Sequence, residues 1–240
     1  MKTYLAAASI ALISANALAQ EPPKLWKGDV QFGYNQTEGN TDEKNVFGKV
    51  DAKRKNGSWT YDVHADGQNN QSDGERSAEA YFVSNRLAYD FSEFNYTFGY
   101  AGVDKDRFSG YRYQATLAGG YGRRIFKTSN FTWDAEVGPG VRVSEYDAAS
   151  DDGDGQVTEA ILRLSTELEY ALSETASLTQ LLSVESGDEN TVTKSTTALK
   201  TKIVGGFGLS ISYIMEYNQT VPQETVHLDR QTAVTLVYSF

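Results

Sequence analysis

The sequence contains no cysteine. That absence removes a disulfide framework, any thiolate-ligated zinc and any thiol nucleophile, so stability must come from a large core or from a closed hydrogen-bonded sheet. Proline is rare, at four residues, and histidine rarer, at two. Basic residues are outnumbered, 22 against 32 acidic. Nucleic-acid binding is disfavoured by that balance, because phosphate neutralisation needs the opposite sign. After the first twenty residues no segment approaches the roughly 18 consecutive apolar residues that a spanning helix requires.

What is present begins at the N-terminus. Met1 and Lys2 give a short positive region, Tyr4 to Ala15 an apolar run, and Ala17-Leu18-Ala19 the small residues a signal peptidase reads. This predicts a secretory signal peptide over residues 1–19, cleaved before Gln20, and a single domain over residues 20–240. No cofactor is expected, and a monomer is expected rather than an oligomer.

Hydropathy along that domain has a period of two. Val226, Leu228, Val234, Leu236, Tyr238 and Phe240 share one parity, and His227, Asp229, Gln231, Thr235 and Ser239 the other. One greasy and one wet face over about fifteen residues describe a long strand. Soluble strands average about five or six residues, so the length points to a tilted strand in a membrane barrel. The alternation returns at Trp26–Asn35, 59–66, 94–100, 111–124, 131–142, 162–170 and 209–218. Weaker stretches lie at 43–55, 76–91, 175–187 and 190–204. Residues 158–172 also suit an amphipathic helix, but strict alternation favours a strand. Twelve strands follow. In 94–100 the aromatic residues Phe94, Tyr96, Phe98 and Tyr100 are taken as the greasy, outward face.

Spacers alternate between short turns, such as Asn56-Gly57-Ser58, and longer polar connections, such as Gln68–Ser77 and Asp147–Thr158. Short turns at one end and longer loops at the other is the outer-membrane pattern. The fold class expected is therefore all-β, a transmembrane antiparallel up-and-down barrel in the cell outer membrane, with both termini periplasmic. Aromatic residues sort into two belts, as interface-seeking rings do. Trp26, Trp59, Tyr61, Tyr89, Tyr96, Trp133, Tyr170 and Tyr238 fall toward the short-turn end; Tyr34, Tyr81, Tyr100, Tyr111 and Tyr217 fall toward the loops.

Several motifs resemble one family. Trp26-Lys27-Gly28-Asp29-Val30 with Gly33 and Glu38-Gly39-Asn40-Thr41 is similar to the opening of the YdiY-like family of salt-induced outer-membrane proteins. Asp106-Arg107-Phe108-Ser109-Gly110-Tyr111-Arg112, Gly119-Gly120-Tyr121-Gly122 and Glu136-Val137-Gly138-Pro139-Gly140-Val141-Arg142 match its later motifs, in order. The ending Leu236-Val237-Tyr238-Ser239-Phe240 resembles the terminal signal read by the barrel assembly machinery, which gives Tyr238 and Phe240 that role. The resemblance implies fold and localisation, links the chain to salt or osmotic stress of the envelope, and lends no catalytic residues.

Motifs that carry chemistry are few in this sequence. His64 alternates with Asp62 and Asp66 on one face, an arrangement that a barrel hydrolase could use, but neither a Gly-x-Ser-x-Gly elbow nor a His-Glu-x-x-His helix is present. Asp151-Asp152-Gly153-Asp154-Gly155 resembles the start of a calcium loop, yet Arg163 stands where an EF-hand starting at Asp152 needs its closing acid. A flexible acidic loop, or cation-bridged contact with lipopolysaccharide, accounts equally for Asp151, Asp152 and Asp154. The wet face carries more information. Arg86, Arg112, Arg124, Arg142 and Arg163 are expected in the lumen with Asp62, Asp134, Glu136 and Glu167. Such mixed charge either lines a small polar channel for ions or small solutes, or cross-links a plugged barrel that stabilises the envelope. A barrel of this strand number is wider than an eight-stranded one, which favours the channel.

Overall fold

In the computed structural model the described residues are 26–37, 43–107, 109–146, 155–221 and 226–240. The expected signal peptide and the acidic run at Asp151, Asp152 and Asp154 lie outside them. Twelve strands form one closed antiparallel barrel: β1 (Lys27–Thr37), β2 (Glu43–Asn56), β3 (Trp59–Ser72), β4 (Glu75–Asp90), β5 (Asn95–Asp106), β6 (Tyr111–Lys127), β7 (Phe131–Tyr146), β8 (Gln156–Ala171), β9 (Ala176–Gly187), β10 (Thr191–Val204), β11 (Phe207–Asn218) and β12 (Leu228–Ser239). Each strand pairs with its neighbours in sequence, and β12 closes on β1. The ambiguous stretch 158–172 is strand β8.

The barrel is greasy outside and charged inside. Phe32, Leu117, Ile211 and Val234 are exposed on the outer face, whereas the Arg142 residue is 1% exposed. Only hydrocarbon around the barrel makes that arrangement favourable, since a closed sheet leaves no backbone donor for lipid to satisfy. The 17 residues of β6 rise about 56 Å at roughly 3.3 Å each. About ten residues at a tilt near 45° suffice to cross the hydrocarbon, so the longer strands overshoot it.

That overshoot explains one departure from the sequence reading. Gln68–Ser77, expected as a loop, is hairpin: β3 runs to Ser72, β4 starts at Glu75, and the turn is Asp73-Gly74 alone. Both turn residues have positive φ, 51° and 81°, the conformation that two-residue hairpin turns of the primed kind demand. Beyond the hydrocarbon both sheet faces are wet. Alternation therefore vanishes while the ladder continues.

Strand β5 reverses its expected faces. Tyr96 and Phe98 are buried inside at 1% and 4% exposure, and Thr97, Gly99 and Ala101 face outward. The register confirms the reversal, because Tyr96 and Tyr100 stand opposite the inward residues Asp90 and Arg86 of β4. Ala88, Tyr96 and Phe98 form a small apolar core inside the wall, with Tyr100 against it. Gly122 on β6 makes the space: a Cβ there would lie 2.0 Å from the Tyr96 ring. Tyr96, Tyr100 and the buried Tyr111 therefore leave the predicted belts. The short-turn belt is otherwise a set of outer ring contacts, with Trp26 on Tyr61, Trp59 on Tyr89, Phe126 on Trp133, Phe131 on Tyr170 and Phe207 on Tyr238.

The seam differs from the other joints. β1 pairs with β2 through eleven residues, from Lys27↔Lys53 to Thr37↔Glu43. With β12 it pairs through four, from Asp29↔Ser239 to Phe32↔Leu236. Gly28 and Phe240 add reciprocal backbone bonds at 3.3 and 3.0 Å, and Thr235 donates to Gln31 at 3.0 Å.

Candidate functional site

Among the described residues, charged side chains from distant strands converge in the interior. Several groups of contacts line it.

In the half nearer the short turns, Arg86 on β4 donates through Nη1 to Asp62 Oδ2 at 2.7 Å and through Nε to Glu136 Oε1 on β7 at 2.7 Å. A bond from β4 to β7 bypasses two strands and must cross the inside of the barrel. Arg124 donates to Asp90 at 2.7 Å and to the Glu93 carbonyl at 2.9 Å. The Arg86 and Arg124 guanidiniums each lie 5.2 Å from the Tyr96 ring. This is why an aromatic strand turns inward here: its rings serve as platforms for cations, a contact that gains strength when desolvated. Asp134 and Glu167 are direct partners across the β7–β8 ladder. Glu167 is exposed, as is Leu181, its partner on β9. Both occupy inward positions, so the lumen is open along this part of the wall.

In the half nearer the loops, packing is tighter. Arg142 donates to Glu159 Oε1 from Nε at 3.0 Å and from Nη2 at 2.7 Å, and also bonds the carbonyls of Asn190 and Glu185. Glu159 in turn accepts from the Glu189 backbone N–H at 2.9 Å, so the pair ties the β9–β10 turn to the inner wall. Arg163 donates to Glu185 at 2.6 Å and lies 3.9 Å from the Tyr100 ring. Thr116 on β6 donates to the same Glu185 carboxylate at 2.9 Å. Also in the loop half, Lys194 on β10 pairs with Asp104 on β5 and with Glu216 on β11, the latter at 3.0 Å. Its ammonium also lies 5.0 Å from the Phe82 ring on β4. β4 and β10 are opposite walls of the barrel, so this one side chain spans the lumen.

Of the residues singled out from sequence, Arg86, Arg124, Arg142, Arg163, Asp62, Asp134, Glu136 and Glu167 thus occupy inward positions. Arg112 does not. A β-bulge between Tyr111 and Tyr113 makes it the extra residue of β6, and its side chain is 59% exposed beside Glu145 at the loop-end rim. His64 does not join Asp62, which is engaged with Arg86 and Lys53. Instead its Nδ1 meets Asp51 on β2 and its Nε2 meets Asp66, both at 2.6 Å. Carboxylates occupy both ring nitrogens, leaving none to serve a hydroxyl nucleophile. Tyr238 packs on Phe207 outside the barrel, and Phe240 closes the seam. Among the described residues no three His, Asp or Glu side chains are grouped to hold a metal ion.

Sequence reasoning missed Lys194, Asp104, Asp51, Glu159 and Glu185. Lys194 was concealed by its strand. The outward residues of β10 include Thr193, Ser195 and Thr197, so its two faces are alike in hydropathy and parity carries no signal. Glu159 and Glu185 were in principle findable, since each is the register partner of an inward arginine, Arg142 and Arg163.

A family model described as "Protein of unknown function, DUF481" matches residues 30–240. The chain belongs to this family. YdiY of Escherichia coli (strain K12), an uncharacterized protein, is 31% identical over 218 residues, covering 90% of this chain and 84% of its own. The YdiY-like resemblance of the sequence motifs is therefore borne out. Among solved structures, the NanC porin superposes with a TM-score of 0.52 at 12% identity, over 88% of this chain and 98% of its own. The translocator domain of the autotransporter NalP from Neisseria meningitidis gives 0.50 at 12% identity, over 92% and 90%. At those identities the likeness is one of fold, that of outer-membrane β-barrels.

Proposed function

We propose that this DUF481 protein is a narrow polar channel of the outer membrane, oriented with both termini in the periplasm, which passes ions or small polar solutes. One observation carries the reading: the interior is lined with charge and stays open at Glu167 and Leu181, while a single flexible side chain, Lys194, spans it to Asp104. A constriction made by one lysine stem is narrow but movable, unlike a folded plug. Its ion pairs are partly solvated, with the Lys194 side chain 33% exposed, so each contributes modestly and can exchange with water. The physiological task we propose is envelope adaptation to salt or osmotic load, on the sequence motifs' resemblance to a family described as salt-induced. Lipopolysaccharide is the expected neighbour of the loop end.

The second reading is a plugged barrel that braces the envelope. Bonds that bypass whole strands favour it, Arg86 to Glu136 and Thr116 to Glu185 above all. Single-channel recording of refolded protein in planar bilayers separates the two. The channel reading expects small unitary steps from wild type and larger ones from Lys194→Ala. Silence from both proteins would establish the brace.

A further inference from the structure

His64 sits on the inward face of β3 with a carboxylate at each ring nitrogen, Asp51 of β2 at Nδ1 and Asp66 at Nε2, both at 2.6 Å. With both carboxylates ionised, both contacts are hydrogen bonds only while both nitrogens carry protons, in the imidazolium form. A neutral imidazole keeps one N–H and turns a lone pair toward the other carboxylate. Asp51 is also held by the Lys49 ammonium at 3.2 Å, so Asp66 is the partner released. All three side chains of the clasp are partly exposed, which gives water and protons access. Charge reaches the ring from β2 through Lys49 and Asp51, and along β3 through Asp66 and Asp62. β4 presents Phe82 and Ser84, its next inward residue, Arg86, being engaged by Asp62 and Glu136.

Lys49, Asp66, Phe82 and Asp104 are successive ladder partners across β2, β3, β4 and β5. Asp66 and Asp104 therefore flank Phe82. The His64 ring lies 5.5 Å from the Phe82 ring. The Lys194 ammonium, arriving from β10, lies 5.0 Å from that same ring. Lys194 is thus placed between an acid that holds it, Asp104, and one that His64 occupies, Asp66. An aromatic face attracts an ammonium, so the path between the two acids is itself supportive.

We propose that His64 is a proton-operated switch for the side chain that spans the lumen. Charged, it occupies Asp66 and leaves Lys194 with Asp104 and Glu216. Neutral, it frees Asp66 to draw Lys194 across Phe82. Loss of the proton also removes one positive charge from the bore, and low-dielectric walls focus that change. Ion preference accordingly moves toward cations as pH rises through the titration of His64. The effect on ion preference rests on the channel reading; the displacement of Lys194 does not.

Two measurements test the switch. Reversal potentials in an asymmetric potassium chloride gradient, recorded from weakly acid to weakly alkaline pH, are expected to shift toward the potassium side in wild type. In His64→Gln they should stay at the alkaline value throughout. His227, the other histidine, bonds the Asn218 carbonyl at 2.8 Å, and His227→Gln should keep the shift. NMR of refolded protein labelled at the lysine side chains reads the switch without conduction. The Lys194 signal, assigned by its loss in Lys194→Ala, should move with the His64 titration in wild type and stay fixed in His64→Gln. If His64→Gln fails to fold, as judged by heat-modifiable gel migration, Asp66→Asn serves, because with no acid to release Lys194 should ignore the titration. A wild-type Lys194 signal indifferent to His64 overturns the switch, whether or not the barrel conducts. So does a conducting wild type whose selectivity is independent of pH. Silence in bilayers together with a Lys194 signal that follows His64 removes the channel reading and retains the switch.

Discussion

Arg142 and Glu159 face each other as direct partners across the β7–β8 ladder and form an ion pair whose side chains are 1% and 6% exposed. A pair so buried has two separable energies. Removing one partner strands the other charge in a poor solvent; replacing both with apolar groups need cost nothing. Arg142→Ala should therefore destabilise the barrel by about 3–5 kcal/mol, whereas Arg142→Met/Glu159→Leu should recover most of that loss. Urea unfolding of refolded protein in detergent, followed by tryptophan fluorescence, measures both. A double variant as unstable as the single one would show that the backbone bonds to Glu189 and Asn190, rather than the charge, are what matter.

The β6 bulge makes a contrast between two arginines. Arg112 stands at the rim, exposed; Arg124 is inside, between Asp90 and the Tyr96 ring. Arg112→Gln should change stability by no more than about 0.5 kcal/mol, as for other surface sites, and leave ion selectivity as it was. Arg124→Gln should move the reversal potential toward cations by releasing Asp90. Equal shifts in the two variants would place Arg112 in the bore after all.

Gly122 is tied to Tyr96 by space rather than by bonding. Adding a methyl group at Gly122 sets it 2.0 Å from the ring, an overpacking that typically costs about 1–3 kcal/mol. Gly122→Ala should thus lower the denaturant midpoint, and Tyr96→Val in the same chain should restore part of it. Failure of that rescue would locate the cost in the backbone of β6.

Phe240 has two separable roles. Its backbone exchanges bonds with Gly28, and its ending resembles the signal for assembly. Deletion of Phe240 should lower the yield in outer-membrane fractions far more than it lowers the stability of protein refolded in detergent. Matching losses in the two measurements would mean that the residue acts through the seam alone.

The barrel was legible because lipid imposes one rule on every outward residue. Strands whose interior is polar show it plainly, as in β12 and β7. The rule failed at β5, where aromatic residues are recruited inward to support Arg86, Arg124 and Arg163: hydropathy identifies a greasy face but not what it faces. It was silent in β10, whose outward face carries hydroxyls. It stopped at the hydrocarbon boundary, which is why Gln68–Ser77 resembled a loop. Arg86, Arg124, Arg142 and Arg163 followed from parity, but parity also put Arg112 inside, because a bulge leaves no mark in hydropathy. Their partners did not, since contacts such as Lys194 to Asp104 depend on which walls are opposite, and that is known only once strand number and closure are fixed.

The short seam also orders events in time. Asp29 and Ser239, joined through their side chains, are separated by 210 positions; closing so large a ring from an open coil costs about 5 kcal/mol of chain entropy. Neighbouring hairpins close rings of a few residues. A sheet that grows by adding hairpins shortens the final gap at every step, so β1 meets β12 last. Until that moment Lys200 has no Asp29 to reach, and the first and last strands both present open edges. A newborn barrel is consequently most vulnerable, and most accessible to a helper that pairs with strand edges, in the interval before four backbone partnerships turn a ribbon into a ring.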